Sequence, residues 1–315
     1  VDPSAAADFI RAEAAQSEDR VSELVEPLGG DYCRVHLSVL QNGLSAETFA
    51  RLFALSARHE ECGREKIEAM LSTLQAMADA GELPFPARET AVAVENWRKD
   101  GFPPLHHSEA FRKNYAPAYR VLRRDFARAL PLFARIDCLT AEKGRVLVAI
   151  EGGSASGKTT LGELLQSVYG CPVFHMDDFF LRPEQRTEAR FAQPGGNVDR
   201  ERFLEEVLIP LREGRPIDYR RFDCATFTIA PPQRIEAGTP NIVEGAYSMH
   251  PDLVPYYDLS VFLSISEEKQ RERILKRNAP AHAKQFFDRW IPFEQRYFDA
   301  LDVQDRCDLV LSADD

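Results

Sequence analysis

Cysteine is sparse and scattered. Cys33, Cys62, Cys138, Cys171, Cys224 and Cys307 form no Cys-x-x-Cys pair, which removes the spacing of a zinc or thiol-redox site and reads as reduced thiols in a cytosol. No apolar run approaches the length of a membrane span, and the N-terminus carries no secretion-signal core. A cytoplasmic chain without a membrane partner is therefore expected. Positive charge is in deficit: 39 Lys and Arg stand against 50 Asp and Glu, a formal charge of -11. That balance argues against broad binding to nucleic acid or anionic lipid. Internal repeats and low-complexity tracts are also missing. The 315 residues, 44% of them hydrophobic, suffice for two domains with ordinary cores.

What is present is one glycine-rich stretch on which the rest depends. Gly152-Gly153-Ser154-Ala155-Ser156-Gly157-Lys158-Thr159-Thr160 has the spacing of a P-loop. Arg145 to Ile150 before it reads as a buried strand. Leu161, Leu164, Leu165 and Val168 after it fall on one helix face, and Gly170 supplies a stop. Strand, loop and helix in this order let backbone N–H groups and a positive helix end face phosphate oxygens. Lys158 is expected to reach the outer phosphates and the Thr159 hydroxyl to hold magnesium.

Residues 1–140 read as mainly helical with no motif tied to chemistry. Ser4 to Leu28 is expected as a helix ending at Gly29-Gly30. Ser45 is a candidate N-cap for a helix bearing Phe49, Leu52 and Phe53. Ile67, Met70, Leu71 and Leu74 mark another, stopped near Gly81. Pro84, Pro86, Pro103 and Pro104 punctuate the next twenty or so residues. From His106 to Arg128 cations mix with aromatics, and Arg120, Arg124 and Arg128 are expected to share a helix face. Such a stripe either binds an anion or a single strand, or is a solvated face over buried Tyr119, Leu122 and Phe126; the second is the commoner use.

From Arg145 strands alternate with helices, which predicts a parallel sheet covered on both sides. A strand at 171–176 runs into Asp177 and Asp178. Period-two alternation puts Asp177 on the face of His175 and turns Asp178 away. Residues 181–197 read as a mobile loop. Asp199 can cap a helix ending at Gly214; Ile217 to Asp223 shows no clear period. Asn241 to Gly245 is a third strand ending in Glu244, Asp258 to Ser266 a fourth, and Cys307 to Ser312 the last. Helices are expected over 267–277, with a cationic stripe of Lys269, Arg273 and Arg277 and Arg271 to one side, and over 285–300.

These residues suit phosphoryl transfer to a hydroxyl, which needs a cradled nucleotide, neutralised charge and an acceptor for the hydroxyl proton. Asp177 is the candidate base. Glu244 joins Thr159 at magnesium. Arg271, Arg273 and Arg277 form a candidate lid over the transferring phosphate. Each has a plainer use, as a loop tether for the acids and a solvated helix face for the arginines. His175 is read as packing behind the acids.

The stretches Gly-Gly-Ser-Ala-Ser-Gly-Lys-Thr-Thr, His-Met-Asp-Asp-Phe-Phe, Asn-Val-Asp-Arg-Glu-Arg-Phe and Val-Glu-Gly-Ala-Tyr resemble the uridine kinase and phosphoribulokinase family of P-loop kinases. The likeness covers about residues 145–315. It implies a five-stranded parallel sheet carrying the P-loop, Asp177 as base, Glu244 at the magnesium site and lid arginines within 271–277. The match fails at the acceptor: Arg221-Phe222-Asp223-Cys224-Ala225-Thr226 lacks the Tyr and the His of uridine kinases, and Gln193-Pro194-Gly195-Gly196-Asn197 stands where they carry an Asp-rich stretch.

The expectation is an α/β P-loop kinase domain at 141–315 after a mainly helical region at 1–140. It would use ATP and magnesium to phosphorylate a small metabolite, foremost a nucleoside or other ribose-bearing compound. Arg190, Tyr219, Arg221, Phe222 and Asp223 are the candidate acceptor contacts. The rival is a nucleotide-driven switch acting through the N-terminal helices. A third reading, a kinase of protein or tRNA, would use the Arg120–Arg128 stripe. Self-association is left open.

Overall fold

The structure, a computed structural model, describes residues 3–16, 23–58, 63–103 and 105–314. Cys62, Pro104 and the middle of the 4–28 stretch lie outside it. The C-terminal half is built on five parallel strands: β4 (Leu147–Gly152), β5 (Val173–His175), β10 (Asn241–Glu244), β11 (Leu259–Ser264) and β12 (Leu309–Ser312). Their order is β12-β11-β4-β10-β5, so the strand feeding the P-loop is central. This is the five-stranded parallel sheet expected of a P-loop kinase. Register fixes the site. Glu244 lies opposite Ile150 on one side and His175 on the other, which brings the ends of β4, β10 and β5 level.

Both faces of the sheet are covered, as alternating strands and helices require. On one face Leu147, Ala149, Phe174, Val243 and Phe262 pack with Phe203, Val207, Leu208 and Tyr297. On the other, Val148, Ile150, Ile242, Val261 and Leu263 meet the P-loop helix Lys158–Tyr169 through Leu161, Leu165 and Val168. Gly170, in the left-handed region, ends that helix as expected. The core on this second face does not stop at the C-terminal half. Leu37, Phe49, Leu52, Phe126, Leu132, Phe133 and Ile136 belong to it. The helix Leu130–Lys143 runs past position 140 to Gly144, just before β4.

The N-terminal region is helical at Pro3–Gln16, Ala46–Arg58, Arg64–Asp79, Ala87–Lys99 and Glu109–Tyr115. Ser45 caps the second of these, accepting from the Thr48 N–H at 3.0 Å. It also holds an antiparallel sheet absent from the sequence reading: β1 (Val25–Pro27), β2 (Tyr32–His36) and β3 (Tyr119–Arg123), in that order. The helix expected to end at Gly29 therefore gives way to a strand. The basic stripe is also corrected. Arg120 stands on β3 and pairs with Glu13 at 2.6 Å, while Arg124 opens a five-residue helix ending at Arg128. β-Branched Val121 between aromatic and long side chains fits a half-buried strand, and β3 pairs along one side with the central strand β2.

Two short hairpins come after the Asp199-capped helical segment: β6 (Ile217–Tyr219) pairs with β9 (Gln233–Ile235), and β7 (Phe222–Asp223) with β8 (Thr228–Ile229). Ile217 and Tyr219 are buried and Asp218 is exposed, a period of two in a run read as having none. The stretch 181–197 is folded through a turn at Pro183–Gln185 and a helix at Glu188–Ala192.

Candidate active site

The P-loop wraps a cleft of about 1040 Å³. Gly152 is there for two reasons. Its φ of 149° is foreign to other residues, and a Cβ would stand 2.7 Å from the Leu263 carbonyl oxygen. Ala155 takes a φ of 60° and Gly157 of 99°, so the loop curls back before the helix starts at Lys158. Lys158 Nζ donates to the Gly153 carbonyl at 2.9 Å. Ser154 to Thr160 all line the cleft.

Thr159 Oγ1 donates to Glu244 Oε1 at 3.1 Å, and the same oxygen lies 2.6 Å from His175 Nδ1. The hydrogen bond to Glu244 raises the His175 pKa against the opposing effect of burial. A hydroxyl beside a carboxylate is a hard-oxygen pair that suits magnesium, an ion that retains much of its water. Among the described residues no group of three or more His, Cys, Asp and Glu side chains is placed to hold a metal alone. Thr159 and Glu244 fit a magnesium ion as two of its oxygen ligands.

Asp177 also lines the cleft. It does not get there by strand alternation, because β5 ends at His175 and Met176–Asp178 is a tight turn. Its side chain is open to the cleft, yet the enclosing walls desolvate it and raise its pKa; Lys158 pulls the other way, and Glu244 and Asp178 add to the rise. Asp178 instead accepts from the Tyr219 hydroxyl at 2.7 Å and pairs with Arg221 at 3.3 Å. Gly245 governs this turn: its φ is 139°, and a Cβ there would fall 2.7 Å from Met176 Cβ.

The sequence reading missed Glu294. It is buried, yet the Ser154 N–H and hydroxyl donate to it at 2.8 and 2.6 Å. Burial raises its pKa, opposed by Lys158 and by the Ser154 donors. The signal was available: Glu294 sits four residues after Trp290 and four before Phe298, a carboxylate within an apolar stripe. Glu151 was missed as well. It is fully buried beneath the loop and accepts from the Gly152, Tyr247 and Met249 N–H groups and the Tyr297 hydroxyl. Burial pushes its pKa up to about 7 despite these donors.

The lid arginines separate. Arg273 and Arg277 line the cleft, and Arg273 donates to the carbonyls of Ala155 at 3.2 Å and Ala313 at 2.5 Å. Lys276, outside the expected set, joins them. Arg271 is not among the lining residues and stacks on Phe287, 4.7 Å from the ring centre.

None of the five candidate acceptor contacts is among the residues lining the cleft. Arg190 is spent on Glu201 and on the Gly196 and Val198 carbonyls, tying down the 193–198 turn. Tyr219 is buried against Phe174 and Phe179. Phe222 is buried, and Asp223 caps its own turn through Ala225 and Thr226. Of the five only Arg221 combines exposure with a contact to the acids. Phe180, Asn197, Tyr247 and Trp290 line the same cleft as Asp177.

No family model matches the sequence. Among solved structures, the chain is similar to a possible uridine kinase from Bacillus stearothermophilus, at 22% identity and a TM-score of 0.42 over 57% of this chain and 98% of that one. It is similar to a candidate fructose transport system kinase from Silicibacter sp., at 24% identity and a TM-score of 0.44 over 53% of this chain and 89% of the other. A shikimate kinase from Bacteroides thetaiotaomicron overlaps at 16% identity and a TM-score of 0.30 over 53% and 86%.

Proposed function

We propose that the chain is an ATP- and magnesium-dependent phosphotransferase acting on a hydroxyl of a small metabolite, with a ribose-bearing compound as the leading class. The observation that carries this reading is Asp177 and Lys158 lining one cleft with the Thr159–Glu244 pair. Carboxylate and lysine close together can bring a hydroxyl and a terminal phosphate into line.

In this mechanism the N–H groups of the loop and Lys158 hold the triphosphate, and Arg273 and Arg277 offset charge on the transferring group. The Thr159 hydroxyl and the Glu244 carboxylate would hold magnesium, which would supply further neutralisation of the phosphates. The acceptor oxygen bonds to the γ-phosphorus while the bond from that phosphorus to the bridging oxygen breaks, leaving ADP. The hydroxyl proton passes to a carboxylate oxygen of Asp177, whose raised pKa favours taking it. Phe180 and Trp290 line the same cleft and would shield the reacting groups from water.

Asp177→Asn tests the assignment. Turnover should fall by about 10²–10⁴, and ATP affinity should stay near the parent value, since the change acts on the acceptor proton. Equal loss of both by steady-state kinetics and calorimetry would remove Asp177 from that role.

A further inference from the structure

The cleft does not end within the kinase half. Asp125, Arg128 and Ala129 of the N-terminal region form part of its wall, together with Leu164 on the P-loop helix and Leu311 at the end of β12. We propose that the N-terminal region supplies the wall of the nucleoside end of the nucleotide site, with Asp125 and Arg128 facing the base and ribose of the bound triphosphate. This rests on the reading of the P-loop as a triphosphate site.

The sheet order separates the two ends. Asp177 comes after β5 at one edge of the sheet, and Leu311 lies on β12 at the other, with the P-loop strand between them. Phosphates held at Lys158 with their terminal group toward Asp177 must extend their nucleoside the other way. Leu164 lies six residues along the helix from Lys158, about 9 Å by the helical rise, a span that suits a sugar and base. Asp125 and Arg128 are placed by their own helix. On Arg124–Arg128, Phe126 and Ala127 are buried in the core shared with Leu161 and Leu165. Positions 125 and 128 are three apart and so share the remaining, exposed face. Asp125 is further held by the Arg123 guanidinium (Nε at 3.0 Å) and by the Phe126 N–H at 2.8 Å. A fixed carboxylate accepts from ribose hydroxyls or an exocyclic amine. A guanidinium stacks on a base or donates to it.

The test compares ATP with inorganic tripolyphosphate, which has the phosphates and no nucleoside, by calorimetry with magnesium on the full chain. Asp125→Asn retains an oxygen for the Phe126 N–H, and Arg128→Ala truncates an exposed side chain, so neither removes a buried group. The expected result is ATP affinity reduced about tenfold in each variant and tripolyphosphate affinity unchanged. Unchanged ATP affinity in both variants would overturn the proposal. So would equal weakening of both ligands, which would place the effect on the phosphates or on the loop. A parent chain that binds neither ligand would instead sink the P-loop reading, and the proposal with it.

Discussion

At the scale of single residues, the site is a crowd of carboxylates held apart by specific donors. Glu151 shows the cost. It is buried, and it binds its proton up to about pH 7 rather than at its ordinary 4.5. Between those values the folded state keeps a proton that the unfolded chain has released. Its contribution to stability is therefore complete below about 4.5 and lost as the pH rises through about 7. Glu151→Gln should flatten the dependence of the melting temperature on pH across that window, whatever it does to the mean. An unchanged slope would mean that the N–H donors around Glu151 hold it ionised throughout. That the P-loop, Asp177 and Glu244 lie at the ends of strands could be read from the sequence, because each comes after an apolar run, and the structure lines one cleft with them. Glu294 and Asn197 were not used, since their places at the cleft depend on how the last helix and the 193–198 turn come back over the sheet. Tyr219 and Arg190 looked like acceptor contacts because aromatic and cationic types suit a pocket. Their partners, Asp178 and Glu201, are tertiary and carry no local pattern.

Among elements, the decisive contact is between the end of β10 and the turn after β5. Gly245 admits Met176 against its backbone, and Met176 leads directly into Asp177. Gly245→Ala would add a Cβ 2.7 Å from Met176 Cβ at a φ of 139°. The strain should cost about 1–3 kcal/mol and push the Asp177 turn outward. Turnover should drop about tenfold or more from misplacement alone, with ATP affinity in the absence of acceptor little changed. Parent-like turnover would show that the turn tolerates the shift. The five strands of the parallel sheet were legible from alternation of apolar runs and helical periods. The antiparallel β1–β3 sheet was not, because its strands are three to five residues long and β3 lies far from β2 in sequence. Arg120, Arg124 and Arg128 imitate a helical stripe only when that pairing is ignored.

For the whole molecule, the two halves share a core. Phe133 is buried between the N-terminal elements and the P-loop helix, its ring centre 6.0 Å from that of Tyr169. Phe133→Ala should cost about 3–5 kcal/mol. Urea unfolding followed by circular dichroism should remain one transition, moved to lower urea. MgATP at about a hundred times its Kd should move the entire curve back by about 2.7 kcal/mol. Two transitions, of which nucleotide shifts only one, would contradict a shared core. No sequence pattern announced this union; it arises from the helix Leu130–Lys143 lying against the sheet face that also carries the P-loop helix.

The central claim is transfer of a phosphoryl group to a small hydroxyl compound. Its most direct test is magnesium-dependent ADP release from ATP across a panel of nucleosides, nicotinamide riboside, pantothenate, sugar phosphates and hydroxylated amino acids, run in parallel on Asp177→Asn. The account predicts one acceptor that raises the rate far above the acceptor-free background, and the loss of that rise in the variant. A flat panel, with ATP bound and hydrolysed slowly throughout, would contradict it and favour a nucleotide switch worked through the N-terminal region.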